Sequence, residues 1–143
     1  YAEFEKKAHE TIENGDALSA DALSNIWGEL LAKYFGSDFE VDPLAKLWWA
    51  RIPHFYNSFY VYKYATGMAA AYPLAEGLAN NTPGAQKKYL NFLKAGNSDY
   101  PIEILKDAGV DMSSTKPVDD LLAYFGELVD QMEQLMRAEG TIK

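Results

Sequence analysis

The sequence predicts an all-α fold, a helical bundle, on three observations. Apolar residues recur at spacings of three and four along several stretches, as they do on one face of a helix. Proline and glycine mostly fall between those stretches, with Asn14-Gly15, Gly36, Asp42-Pro43, Pro83, Gly96, Pro101, Gly109 and Pro117 as the punctuation. Nowhere do four or more residues alternate convincingly in the manner of a half-buried strand. With 143 residues, 48% of them apolar, the chain has enough for one domain with a sizeable core, a single helical region over 1–143.

Taken in order, Tyr1, Phe4, Ala8 and Ile12 give an amphipathic helix over 1–13, stopped by Asn14-Gly15. Its pattern is already running at Tyr1, with neither methionine nor cap, which suggests a piece of a longer protein. Ser19 is a good N-cap for a second helix through Phe35, with Leu23, Ile26, Trp27, Leu30, Leu31 and Tyr34 as its apolar face. Asp42-Pro43 caps and opens a third, Leu44 to about Arg51, carrying Trp48 and Trp49. Pro53 suits the first turn of a fourth helix, which keeps its period past a kink at Pro73 as far as Asn80. Gly67 and Ala69–Ala71 give it a small-residue face that admits another backbone. A fifth helix covers Pro83 to Ala95, a short one Ile102 to Ala108, and a last one starts at Pro117 and holds its period to Arg137.

Residues 51–67, RIPHFYNSFYVYKYATG, are the most informative. They hold Phe55, Tyr56, Phe59, Tyr60, Tyr62 and Tyr64, with His54 among them. As a helix, Phe55, Phe59, Tyr62 and Thr66 would share one stripe, and Tyr56, Tyr60 and Tyr64 its neighbour. So wide an aromatic arc is expected to be surrounded by protein, with each tyrosine hydroxyl finding a partner. Two readings stand side by side: a packed core helix, or the wall of a cleft in which His54 and tyrosines donate hydrogen bonds to charge developing on a substrate oxygen.

Composition excludes several function classes. Net charge is −8, from 13 basic and 21 acidic residues, which disfavours nucleic acid or an anionic membrane as a partner. No apolar run approaches a membrane span and no basic-then-apolar leader opens the chain. The absence of cysteine rules out disulfides and thiolate metal sites and fits a cytoplasmic location. His9-Glu10-Thr11-Ile12-Glu13 starts like the zinc motif H-E-x-x-H but has Glu where the second ligand belongs, so no metal site is expected within the chain and His9 reads as a solvated helix residue. Asp119-Asp120 complement the dipole at the start of the last helix, and Glu127, Asp130, Glu133 and Glu139 largely solvate its polar face. The loop Gly96–Pro101 either caps the next helix through Ser98 or Asp99 or reaches a cleft.

With YAEFEKKAHE at 1–10, ARIPHFYNSFYVYKYATG at 50–67, YLNFLKAGNSDYPIEILKDAGVDM at 89–112 and the Pro117 helix in view, the chain resembles the C-terminal part of an oligoendopeptidase F-type zinc metallopeptidase of the thimet oligopeptidase superfamily. The resemblance implies a zincin-type, largely helical fold around a deep cleft and hydrolysis of short peptides. In that family the zinc is held by H-E-x-x-H and a later glutamate, all upstream of Tyr1, so the resemblance implies zinc in the full-length enzyme and none in this portion. It implies that His54 hydrogen-bonds the bound peptide and that Tyr62 stabilises the tetrahedral oxyanion alongside the metal. More distant relatives carry another tyrosine three residues earlier; here that place is Phe59, so Tyr56 or Tyr60 becomes a further candidate for contacting substrate.

A neutral phenol in a dry cleft donates to a forming oxyanion without changing its protonation, and losing one such donor costs about 3–4 kcal/mol. The expected partners are therefore short peptides and the N-terminal remainder of the same protein, with self-association as the outcome if apolar surface is left uncovered. Alone, the portion is expected to be inactive. The alternative is a free-standing, non-catalytic helical module that binds a peptide or partner through an aromatic groove.

Overall fold

The computed structural model describes residues 1–142. Six α-helices carry it: α1 (Ala2–Glu13), α2 (Ala20–Phe35), α3 (Tyr62–Ala79), α4 (Ala85–Ala95), α5 (Pro101–Ala108) and α6 (Lys116–Ala138). Two 3-10 segments, Pro43–Arg51 and Pro53–Tyr56, lie between α2 and α3. There is no strand among the described residues, so the fold is all-α as the periodicity predicts. The contacts divide the chain into two compact units, Tyr1–Lys63 and Tyr64 onward.

The first unit is built on α1 and α2. Ser19 caps α2 as predicted, its hydroxyl accepting from the Ala22 amide at 3.1 Å. Phe4, Trp27 and Leu30 are buried together, with Leu23, Ile26, Leu31, Trp49, Ile52 and Phe55 packed around them. The Phe4 ring stands edge-on to Trp27 at 5.1 Å and tilted against Phe55 at 4.9 Å, the offset geometries that aromatic quadrupoles favour. On the rim, Glu3 accepts from Lys33 at 2.9 Å and from the Tyr34 hydroxyl at 2.8 Å. The Lys33 bond, then that of Tyr34, holds the Glu3 carboxyl below the usual carboxylate range.

Asp42 caps its segment through the Leu44 amide at 2.7 Å, yet the chain beyond it runs as a 3-10 segment rather than the α-helix expected over Leu44–Arg51. Side chains facing α2 set that path. Trp49 Nε1 donates to Ser24 Oγ at 3.1 Å, and the Lys46 stem lies so close over Gly28 that a Cβ there would meet it at 3.2 Å.

The larger correction concerns the aromatic stretch. No α-helix starts at Pro53: a single 3-10 segment ends at Tyr56, a tight turn comes next, and α3 begins only at Tyr62. Asn57 is extended (φ −123°, ψ 95°) and Phe59 is left-handed (φ +55°), and neither angle continues a helix. The stripes drawn from Phe55 to Thr66 therefore do not form. Tyr56 is 80% exposed and Tyr62 48%, against the expectation of burial.

In the second unit α4 packs against α5. Pro73 is accommodated inside α3, which runs on to Ala79. Gly109 closes α5 with φ +100°, and the amide of the buried Val110 reaches back to the Leu105 carbonyl at 2.8 Å, a Schellman-type stop. The expected cap of this helix by Ser98 or Asp99 is not what forms. Tyr100 holds the N-cap position, and Asp99 accepts from its amide at 2.7 Å. Along α6, Leu122, Phe125, Leu128, Val129, Met132 and Leu135 are exposed.

Candidate active site

The short segment Pro53–Tyr56 carries His54 and Tyr56, and the turn after it carries Phe59 and Tyr60. Proline at 53 fixes the backbone entry to the segment, and the Asn57 amide closes it onto the His54 carbonyl at 3.1 Å. The Tyr60 amide then bonds the Asn57 carbonyl at 3.1 Å, folding the chain back on itself. The two rings meet as a result: His54 and Tyr60 lie 5.6 Å apart between centroids, tilted by 33°. Lys63 Nζ stands 4.9 Å over the Tyr60 ring, a cation–π contact on the same group.

Of the predicted site residues, the structure brings His54 and Tyr60 together. Tyr62 is the first residue of α3, two positions beyond Tyr60, half exposed and at the helix end where the dipole is positive. The Tyr56 hydroxyl donates to the Ala50 carbonyl at 3.2 Å, so its ring is what faces outward. Phe55 and Tyr56 also line an open cleft of about 400 Å³, shared with Phe4, Glu5, His9 and Trp49.

Sequence reasoning missed two residues here. Glu5 is only 5% exposed, and its Oε1 accepts from the Phe59 amide at 2.7 Å. His9, expected in solvent, is partly buried with its ring stacked on Phe59 at 4.3 Å. The available signal was positional: Glu5 falls on the apolar stripe of α1 beside Phe4 and one turn before His9, where a solvated carboxylate does not belong.

A second hollow, about 590 Å³, lies in the other unit. Gly67, Ala70 and Ala71 of α3 and Asn97 and Asp99 of the α4–α5 loop help to line it, so this loop does reach a cavity. The lining is otherwise mainly apolar, and it lacks the histidine–tyrosine pairing of the first site. No group of three or more His, Cys, Asp or Glu among the described residues is placed to hold a metal ion, so the donors present do not fit a zinc site.

The same all-α scaffold is found in a solved oligoendopeptidase, which covers nearly all of this chain. The crystal structure of oligoendopeptidase-F from Enterococcus faecium superposes with a TM-score of 0.89 at 44% identity, over 96% of this chain and 26% of that one. A putative peptidase from Chlamydophila abortus gives 0.81 at 40% identity, over 93% and 22%. The sequence model of Peptidase family M3 matches residues 1–124, and the chain belongs to that family. Oligopeptidase PepF of Bacillus subtilis is 43% identical over 136 residues, 95% of this chain and 20% of that protein. Group B oligopeptidase PepB of Streptococcus agalactiae is 44% identical over the same length, 23% of that protein. The chain thus spans about one fifth of the curated relatives it matches.

Proposed function

We propose that the protein containing this chain is a cytoplasmic, zinc-dependent oligoendopeptidase that hydrolyses short peptides, and that this portion supplies hydrogen-bond donors for substrate and transition state. The observation that carries the reading is the His54–Tyr60 pair, 5.6 Å apart, in a stretch with peptidase relatives on every side. In this reading His54 donates to an oxygen of the bound peptide. Tyr62 donates to the carbonyl oxygen that gains charge as the amide is attacked, a bond that strengthens on the way to the transition state. Tyr60 holds the His54 ring, and Tyr56 offers its exposed ring to substrate side chains.

The zinc ligands belong, in this proposal, to the N-terminal remainder of the polypeptide, which is also the partner of these helices; where that partner is missing, the apolar face of α6 invites self-association. The absence of any described helix long and apolar enough to cross a membrane supports no membrane role, and the net charge of −8 supports no nucleic-acid role.

The test is Tyr62→Phe in the full-length protein. The variant should lose about 10²–10³ in kcat on a quenched peptide with little change in KM. An unchanged kcat removes Tyr62 from the mechanism.

A further inference from the structure

Phe59 is in the left-handed region without being a glycine (φ +55°), a conformation that survives only where the surroundings impose it. Two contacts from α1 impose it here. The Glu5 carboxylate, 5% exposed, accepts from the Phe59 amide at 2.7 Å, and the His9 ring, one turn further along the same helix, stacks on the Phe59 ring at 4.3 Å. A carboxylate withdrawn from water needs donors for its charge, and a short charge-assisted bond to a backbone amide is a strong one. On the other side of the turn, Val61 is buried, 7% exposed, so the segment is held at both ends. Between them sits Tyr60, whose ring packs against His54.

We infer that Glu5 is a positioning residue: it locks the Asn57–Tyr60 turn in its left-handed form and thereby sets the His54–Tyr60 pair. The chemistry favours this over a bulk packing role, because the bond goes to the backbone of the one residue in the turn whose φ is unfavourable. Glycine at 59 would take that φ freely; phenylalanine adds the ring that His9 grips, and so needs the carboxylate. The catalytic consequence rests on the peptidase reading above, whereas the clamp itself does not.

The experiment compares Glu5→Gln, Glu5→Ala and the double variant Glu5→Ala/Phe59→Gly in the full-length protein. Gln keeps an acceptor oxygen at the Phe59 amide and should retain kcat within about threefold, while Ala should lower kcat by about tenfold or more with KM less affected. In the Ala variant, hydrogen exchange at the Phe59 amide should speed up and the NOE between the His54 and Tyr60 rings should weaken. Adding Phe59→Gly, which tolerates the left-handed φ unaided, should recover part of kcat; loss of stability alone would not be recovered this way. Unchanged exchange at the Phe59 amide in Glu5→Ala overturns the clamp. Faster exchange with an intact ring NOE and intact kcat overturns the positioning role. If Glu5→Ala does not fold, Glu5→Met, which keeps the length of the side chain but offers no oxygen acceptor, takes its place, and unchanged exchange at the Phe59 amide there overturns the clamp. Should the unaltered full-length protein hydrolyse no peptide, the peptidase reading falls, and should His54→Ala leave hydrolysis untouched, the role given to His54 falls; the exchange and NOE results still judge the clamp separately.

Discussion

Tyr72 donates to Glu76 Oε1 at 2.9 Å one turn along α3 and stacks on Tyr124 at 4.8 Å. The carboxylate that accepts its hydrogen bond, with some burial, pushes the Tyr72 phenol up to about 12. Because the folded pKa lies above the unfolded value of about 10, the bond's stabilisation is complete below pH 10 and is lost as pH rises through 12. Tyrosinate absorbance should therefore show a step above the ordinary phenols, and Tyr72→Phe should abolish it; a step that persists assigns it to another tyrosine. Contacts this local are readable in a sequence, as the caps by Ser19 and Asp42 show. Glu5 could be seen to sit on an apolar stripe, but its partner could not be read, because Phe59 stands 54 residues away and only the folded chain brings them together.

Among the helices, α6 offers the cleanest test. Gly126 sits in its interior with nothing within 4 Å of an added Cβ. Alanine there costs no space and improves helix propensity, so Gly126→Ala should stabilise the chain by about 1 kcal/mol in denaturant melts. A loss of stability would mean that something covers that position in solution. The extents of α1, α2, α4, α5 and α6 were legible to within a residue or two, since proline, glycine and serine mark their ends. The run from Pro53 to Val61 was misread because its aromatic spacing is compatible with a helix while its backbone is governed by Asn57, Phe59 and the pull of α1. His54 and Tyr60 meet, but across a turn rather than along a helix face.

With no set of metal ligands among its described residues, the chain alone should show no zinc-dependent hydrolysis of a quenched peptide, and detectable turnover would overturn the division of labour proposed above. The apolar row left open on α6 has one more consequence, for calorimetry. Hydrocarbon already in water contributes nothing new when the chain melts, so the heat-capacity increment should fall short of the usual 12–15 cal/mol/K per residue, or about 1.7–2.1 kcal/mol/K for this length. Melting, for these helices, will bring less fresh hydrocarbon into water than their size suggests.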